Sequence, residues 1–237
     1  MDIRPEALLK CSNETELSRE LQRIAGVLDF QCCSASLLIE KGGGIVQTYA
    51  VASIPEPYQA QFYDPADAAR DPVMQRVRVS SAPVAWSQAD YVSGNAGDLW
   101  EHQAAHGLGC GITSAAHLPT GRHIVWGVER PQPLPTTERT RAQLVATTHL
   151  VTTYLIEVMP KVFKLDTLPM DRPVLSPREM EVLKWTSAGK SAWEIGQILS
   201  IAESTVNAHL SRVRSAFGVS TKAHAIARAA MLGMLAA

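Results

Sequence analysis

The chain has 237 residues, of which 46% are hydrophobic and 19% are charged, and its formal net charge is −1. Such a length and composition predict a soluble globular protein of two domains. The charge is uneven, because residues 174–237 hold seven Lys and Arg against four Asp and Glu, which gives this segment +3 and leaves −4 for the remainder. The carboxy-terminal segment is therefore the part suited to bind a polyanion.

The cysteines and the amino terminus indicate where the protein resides. Cys11, Cys32, Cys33 and Cys110 show no CxxC spacing, and the adjacent pair would point to opposite faces of a strand. This usage favours a reduced, cytoplasmic chain over a disulfide scaffold. The amino terminus lacks the charged-then-apolar order of a signal peptide, and no apolar run approaches the roughly 18 residues that a membrane span needs. We therefore expect a cytoplasmic protein without a membrane partner.

The first part of the chain alternates between helical and strand periods. Residues 14–28 carry a helical stripe made of Leu17, Leu21, Ile24 and Leu28. Strands are predicted at 33–40 and 45–52 around the turn KGGG, and at 109–119 and 123–130 around Thr120, Gly121 and Arg122. Between these hairpins lie short polar and aromatic pieces and a helix-like stretch at 98–107, and a long helix is predicted over 136–159. The α+β class is expected, with residues 1–160 forming an α/β/α sandwich around an antiparallel sheet.

A proline-bearing stretch follows the long helix. Pro160, Pro169 and Pro173 fall in or beside residues 161–173, which show no sustained periodicity. We interpret 161–173 as a linker whose prolines limit how freely the two domains move. The second domain would then occupy residues 174–237.

The carboxy-terminal domain is predicted to consist of short helices whose ends carry capping residues or glycine. Two capping boxes begin at Ser176 and Ser191. Gly189 ends the first helix, and a third helix begins near Glu203 and a fourth near Thr221. The residues expected to face inward are Ile195, Ile198 and Leu199 on the second helix and Val206, Leu210, Val213 and Phe217 on the third. A short helix, a three-residue turn and a longer helix indicate a helix-turn-helix inside an all-α, four-helix domain.

The third helix keeps a polar outer face, made of Ser204, Thr205, Asn207, Ala208, Ser211, Arg212 and Ser215, with Arg214 at its edge. The major groove of DNA admits one helix, and short polar side chains let its backbone approach the base edges. Arg212 and Arg214 can reach guanine or phosphate, whereas Thr205, Lys190 and Lys222 are better placed for phosphate. The pattern alone also allows a face that is merely solvated.

Residues 175–227 resemble the DNA-binding domain of the LuxR family of bacterial transcription factors. The residues that carry the resemblance are Glu179, Leu183, Trp185, Gly189, Lys190, Glu194, Ile195, Ile198, Leu199, Ser204, Thr205, Val206 and His209. The sequence departs at Ala202, where relatives often carry a Ser or Thr helix cap. The front of the chain is similar to the autoinducer-binding domain of quorum-sensing members in Asp71 followed by Pro72, in Trp86 and in Gly111.

This resemblance implies an acyl-homoserine lactone held between the sheet and one helical layer. Asp71 would accept a hydrogen bond from the ligand amide, Trp86 would wall the lactone ring, and Gly111 would leave room on its strand. Spacing alone would equally make Asp71 a helix or turn cap. Three positions depart from the usual pocket: Tyr58 replaces a tryptophan, Phe62 a tyrosine and Ile54 a tyrosine. Both a lactone with an altered acyl preference and a different small molecule therefore stay open.

The resemblance also implies partners and an assembly. They are double-stranded DNA with a near-palindromic site, a small-molecule autoinducer, a second copy of the chain and RNA polymerase. The 136–159 helix and the alanine-rich 222–233 helix would contribute the dimer contacts. A regulator of this kind that acts without a ligand, filling the pocket with its own side chains, is an alternative.

Two further classes of protein are less consistent with the sequence. A phosphorylated response regulator would show an acidic cluster after the first strand, and none is visible. An enzyme or metal site could use His102 and His106 at i, i+4, near His117 and His123, but the order is not HExxH. Cys110 has no base paired to it by any motif, so a buried thiol is expected. We therefore predict no catalytic residue, no metal and no cofactor.

Overall fold

The computed structural model describes residues 3–41, 45–62, 64–118, 121–165 and 173–235. These residues form two compact units. The amino-terminal unit holds residues 3–118 and 122–165, and the carboxy-terminal unit holds residues 173–235.

An antiparallel sheet organises the amino-terminal unit. Its strands are β1 (Cys32–Lys41), β2 (Ile45–Ser53), β3 (Val84–Trp86), β4 (Cys110–Leu118) and β5 (Arg122–Arg130), in the order β2-β1-β5-β4-β3. Ser34 of β1 lies opposite Ala52 of β2 and Gly127 of β5, and Thr113 of β4 also lies opposite Gly127. The two predicted hairpins and the antiparallel sheet are confirmed. The predictions lacked β3, because three residues are too few to show an alternating pattern.

One face of the sheet is closed by a tightly packed helical layer. A short 3-10 helix (Pro5–Lys10), α1 (Glu14–Val27) and α7 (Glu138–Val162) bury apolar side chains against alternate strand residues such as Leu37 and Trp126. Helix α7 also buries Thr148 and Thr152, whose hydroxyls donate to carbonyls one turn back, at 2.9 and 3.2 Å. This helix continues through Pro160 to Val162, two residues into the predicted linker. The domain boundaries themselves stay a prediction, since residues 166–172 lie outside the described ranges.

The opposite face carries five short helices. They are α2 (Glu56–Phe62), α3 (Pro65–Arg70), α4 (Pro72–Val79), α5 (Gln88–Ser93) and α6 (Gly97–Ala104). Only α6 was predicted, because none of the others is long enough to repeat an apolar stripe. Asp64 and Asp71 begin two of them as N-caps, each followed by proline at the first helical position. The five helices form a second layer over the sheet and complete the predicted α/β/α sandwich.

The carboxy-terminal unit consists of α8 (Pro177–Ser187), α9 (Ala192–Leu199), α10 (Glu203–Phe217) and α11 (Lys222–Met231). Both predicted capping boxes are present, at Ser176 and at Ser191. A sharp turn joins α9 to α10 through Ser200, whose φ of 53° is left-handed. A Cβ on Gly196 would lie 2.8 Å from the carbonyl oxygen of Ile201, so the turn requires glycine there. The helix-turn-helix is confirmed.

Helix α9 has one exposed residue that was expected to be buried, and α10 begins without a side-chain cap. Ile198 is 43% exposed, so the prediction that it faces inward is wrong; α9 instead buries Ile195 and Gly196, which lie toward the turn and α10. Ala202 begins α10 without a side-chain hydrogen bond, as its methyl group dictates. A missing cap costs about 1 kcal/mol. Val206, in the first turn of α10, packs in a buried cluster with Val182 and Ile195.

Candidate functional site

A cavity of about 960 Å³ lies in the amino-terminal unit, between the sheet and the layer of short helices. Its volume is typical of a small-molecule site. The sheet side is lined by Ser34, Ser36, Leu38, Thr48, Ala50, Trp86, Thr113, His117, His123, Val125, Gly127 and Glu129. The helical side is lined by Tyr58, Pro65, Asp67, Ala68, Asp71, Val73, Met74, Val77, Arg78, Tyr91, Leu99, Gln103 and, beyond α6, Leu108.

Asp71 caps a helix and also lines the cavity. Its Oδ1 caps α4 by accepting from the backbone N–H groups of Val73 and Met74, at 2.7 and 2.9 Å. Its Oδ2 accepts from the Tyr91 hydroxyl at 2.8 Å. Burial raises the pKa of Asp71, and the hydrogen bonds from Met74, Tyr91 and Val73 oppose that rise. Because Asp71 also lines the cavity, the capped carboxylate is held in a fixed position where it can accept a further hydrogen bond.

Trp86 forms a wall of the cavity and is itself held on two sides. Its indole Nε1 donates to Thr113 Oγ1 at 3.0 Å, and its ring meets Tyr91 edge-on at 5.7 Å between centroids. Gly111 lies directly opposite it in the sheet, and a Cβ there would approach the Trp86 ring to 2.8 Å and the Val128 carbonyl oxygen to 2.5 Å. Gly111 is therefore covered by Trp86 and shapes the cavity through that ring.

The three departures from the family pattern lie at different places. Tyr58 lines the cavity and stacks on His106 at 5.2 Å between ring centroids. Burial, followed by the charge of Asp71, raises the pKa of Tyr58 to about 12, so its hydroxyl keeps its proton. Ile54 instead borders a separate hollow of about 320 Å³ beside Cys32. Phe62 ends α2, and its side chain lies outside the described residues.

Glu129 is a cavity residue that the sequence analysis missed, as are Tyr91 and Thr113. It is only 4% exposed, and its Oε2 has no hydrogen-bond partner among the described residues. Burial raises the pKa of Glu129 to about 8. The available signal was a lone acidic residue in the apolar strand 122–130, in phase with Gly127. Tyr91 and Thr113 gave no comparable signal, because their roles depend on which neighbours the fold brings to them.

The candidate metal and nucleophile residues have ordinary structural contacts. His106 Nδ1 contacts the His102 carbonyl oxygen at 3.0 Å, and the Cys110 thiol donates to the Gln132 carbonyl oxygen at 2.8 Å. Burial raises the pKa of Cys110, which opposes formation of a nucleophilic thiolate. Within the described part of the chain, no group of three His, Cys, Asp or Glu side chains could hold a metal ion.

The helix-turn-helix exposes most of the predicted DNA contacts. Exposed side chains are Lys190, Ser204, Thr205, Asn207, Ala208, Ser211, Arg212 and Lys222. Arg214 is partly buried and donates to the Ser220 carbonyl oxygen at 3.2 Å, which ties it to the loop before α11. Lys190 forms an exposed ion pair with Glu194 at 3.2 Å. Such a pair contributes little to stability and exchanges readily for a phosphate contact. These geometries leave Arg212 as the cation on the outer face of α10.

Comparison with known proteins supplies the family. Residues 13–157 match the autoinducer binding domain, and residues 173–229 match the bacterial regulatory proteins of the luxR family. The chain belongs to the LuxR family of bacterial transcriptional regulators. It is 31% identical over 235 residues to the transcriptional activator protein SolR of Ralstonia solanacearum, covering 97% of this chain and 96% of SolR.

Two solved structures share the fold. SdiA in complex with octanoyl-rac-glycerol matches with a TM-score of 0.72 and 23% identity, covering 98% of this chain and 93% of SdiA. CepR2 of Burkholderia cenocepacia, described as an N-acylhomoserine lactone dependent transcription factor, matches with a TM-score of 0.56 and 19% identity. That alignment covers 66% of this chain and 91% of CepR2.

Family membership distinguishes a transcriptional regulator from a response regulator and from an enzyme. LuxR-type regulators bind DNA through the helix-turn-helix and a small-molecule autoinducer through the amino-terminal domain, and the family consists of regulators rather than enzymes. The matched autoinducer binding domain occupies the place that a phosphorylated receiver domain would take in a response regulator. Among the described residues, no helix is both long and apolar enough to cross a membrane.

Proposed function

We propose that this LuxR-type regulator binds an acyl-homoserine lactone in its cavity and, as a homodimer, a near-palindromic promoter site. The observation that carries the proposal is the Asp71 carboxylate, capped and fixed at the edge of a cavity of about 960 Å³ within the autoinducer-binding domain. A ligand with an amide N–H would complete the hydrogen bonding of Oδ2.

The lining fits a small amphiphile. Tyr91 contacts both Asp71 and Trp86, so the three residues present an acceptor beside an aromatic wall. Val73, Val77 and Leu99 supply apolar surface for an acyl chain. An apolar cavity with a few oriented polar groups favours a ligand of this kind, because a polar group left unpaired in it is costly. CepR2, whose description names N-acylhomoserine lactone, supports the same class. We assign Tyr58, Phe62, Asp71, Trp86 and Gly111 to the ligand site, the last acting through Trp86.

A non-lactone signal is the second candidate. Tyr58 stands where a tryptophan is usual, and the structure adds a buried carboxyl group at Glu129. Both alter the hydrogen bonding offered to a ligand head. The SdiA complex with octanoyl-rac-glycerol shows that the fold accommodates an acyl glycerol. A regulator that fills its own pocket is disfavoured, because the described side chains leave the cavity open.

On the DNA side, α10 would enter the major groove. Ser204, Asn207, Ala208, Ser211 and Arg212 would face base edges, whereas Lys190, Thr205 and Lys222 would contact phosphates and fix the register. Arg214 would act from the edge of α10, where it also holds the following loop. A dimer would present two α10 helices to half-sites about one helical turn, roughly 10 bp, apart.

The proposal also covers the dimer contacts, the cellular compartment and the partner at the promoter. The long helix α7 and the alanine-rich α11 would supply the dimer contacts, the protein would act in the cytoplasm, and RNA polymerase would be the partner at the promoter. A monomeric footprint on an asymmetric site would contradict the dimer.

Thermal unfolding against a panel of acyl-homoserine lactones tests the ligand class. A ligand that binds only the folded state stabilises it by about 2.7 kcal/mol at 100 times its Kd. We expect stabilisation by at least one lactone and a smaller effect from the ring-opened homoserine form with the same acyl chain. Stabilisation by 1-octanoyl-glycerol but by none of the lactones would favour the second candidate. Mass spectrometry of a co-purified ligand gives an independent identification.

A further inference from the structure

Glu129 is a buried acidic side chain that neither the fold nor the proposed contacts of Asp71 explain. It lies on the sheet side of the cavity, is 4% exposed, and its Oε2 has no hydrogen-bond partner among the described residues. Its Oε1 lies 2.5 Å from the position that a Cβ on Gly127 would occupy. Only glycine at 127 therefore leaves room for this carboxyl group in its observed position.

The surroundings of Glu129 favour its neutral form. Cys32 of β1 lies directly opposite Glu129 in the sheet, and burial together with the charge of Glu129 raises the pKa of its thiol. The other titratable or charged groups that line the same cavity are Tyr58, Asp67, Asp71, Arg78, Tyr91, His117 and His123. Burial raises the pKa of Glu129 to about 8. At neutral pH it is mostly a carboxylic acid, which carries an O–H donor as well as acceptors.

The cavity thus holds two carboxyl groups with opposite hydrogen-bonding character. Asp71 receives three donors, from Val73, Met74 and Tyr91, which favour its ionised form. Glu129 Oε2 receives none from the described residues. When two acidic groups have environments this different, one serves as acceptor and the other as proton-bearing donor.

We propose that Glu129 is a specificity-determining residue whose carboxylic acid donates a hydrogen bond to an acceptor oxygen of the bound signal. The cavity would then select acyl amphiphiles that present an N–H or O–H to Asp71 and a carbonyl or hydroxyl oxygen to Glu129. This inference rests on the proposed function in one respect, that the signal occupies this cavity. It adds a second polar contact, on the sheet side, to the contact at Asp71.

Calorimetric titration of the full chain with two probes tests the inference. The probes are N-octanoyl-homoserine lactone and 1-octanoyl-glycerol, and the variants are Glu129→Gln, which keeps an N–H donor at all pH values, and Glu129→Leu, which removes it. We expect the wild-type Kd to rise about tenfold between pH 7 and pH 9, because the protonated fraction falls about tenfold around a pKa of about 8. The Kd of Glu129→Gln should not show this rise, and Glu129→Leu should bind about tenfold more weakly at pH 7.

The ratio of the wild-type Kd to the Glu129→Gln Kd at each pH is the readout. Alkaline opening of the lactone ring and pH effects at other residues of the cavity are shared by both proteins, so they cancel in that ratio. Thermal unfolding of each variant verifies that it is folded. A ratio that does not change with pH, a wild-type protein that binds more tightly as pH rises, or wild-type affinity in Glu129→Leu would each overturn the inference.

The two probes separate this inference from the proposed function. If the glycerol ester binds with the expected pH ratio and the lactone does not bind, lactone sensing fails while the role of Glu129 holds. If the lactone binds with a constant ratio, the role of Glu129 fails while lactone sensing holds. Binding of neither probe overturns both, because the inference requires an acyl amphiphile in this cavity.

Discussion

Replacing Asp71 separates its structural role from its proposed ligand contact. Asparagine caps a helix about as well as aspartate, so Asp71→Asn keeps an acceptor for the Val73 and Met74 N–H groups. It replaces Oδ2, the atom that meets Tyr91 and the cavity, with an N–H₂ group. Asp71→Ala removes both functions and is the matched comparison.

The magnitudes follow from those contacts. Asp71→Ala loses a cap worth about 1 kcal/mol and leaves the buried Tyr91 hydroxyl without its acceptor, for about 1–3 kcal/mol more. At roughly 3 °C per kcal/mol for a unit of this size, Tm should fall by about 6–12 °C. The N–H₂ group of Asp71→Asn can donate to the Tyr91 hydroxyl oxygen in place of the lost bond, so this variant should stay within about 1 kcal/mol of wild type. Its ligand affinity should nevertheless drop about 10- to 150-fold, because a hydrogen bond to a charged acceptor is worth about 1.5–3 kcal/mol.

Thermal unfolding with and without N-octanoyl-homoserine lactone measures both effects. At 100 times the wild-type Kd the lactone should stabilise wild type by about 2.7 kcal/mol, and a protein with 50-fold weaker binding by only about 0.6 kcal/mol. An Asp71→Asn protein that the lactone stabilises as much as wild type would show that Asp71 only caps α4. An Asp71→Ala protein as stable as wild type would refute the capping estimate.

Three further predictions concern other residues of the two units. For Glu129→Gln without ligand, burial raises the wild-type pKa from 4.5 to about 8, so the carboxyl group's contribution to stability is fully present below pH 4.5 and is lost as pH rises to about 8. Denaturant unfolding should therefore show the variant gaining on wild type by up to about 4 kcal/mol from pH 4.5 to 8, and a constant difference would contradict the neutral buried form. Gly111→Ala should displace the Trp86 ring and cost about 1–3 kcal/mol, with loss of the lactone-induced Tm shift, and an unchanged shift would show that Trp86 does not shape the cavity. Arg212→Ala should reduce discrimination between operator sequences in fluorescence anisotropy, whereas Lys222→Ala should weaken all DNA about equally and lower the salt slope by about 1; identical behaviour would show that the two faces are wrongly assigned.

The helices and strands that could be predicted are those whose hydrophobic period and end signals lie within the element or hairpin itself. Helix α1, the hairpin strands and the capping boxes at Ser176 and Ser191 carry their own periods and end signals. Helices α2 to α5 and strand β3 are too short to repeat a hydrophobic pattern. Their conformation depends instead on packing and pairing with the rest of the amino-terminal unit. Ile198 illustrates the same limit, because a helix of eight residues has too few positions to define which side the neighbouring helices cover.

Site residues could be predicted where a single residue matches the family pattern. They could not be predicted where the role depends on two strands lying side by side. Asp71 and Trp86 were identified from the family resemblance, and both line the cavity. Thr113 holds the Trp86 indole only because the register of β3 against β4 brings the two strands together. Glu129 lacked a visible role because its burial depends on how the helical layer covers the sheet. Such burial is a property of packing, which one sequence does not display.

The most direct test of the central claim is the affinity of the full chain for DNA with and without lactone. Sites selected from a random double-stranded pool in the presence of N-octanoyl-homoserine lactone would be measured again by fluorescence anisotropy. The account predicts a near-palindrome with half-sites roughly 10 bp apart, and tighter binding when the lactone is present. DNA affinity that is the same with and without the lactone, in a protein that the lactone demonstrably stabilises, would contradict the account.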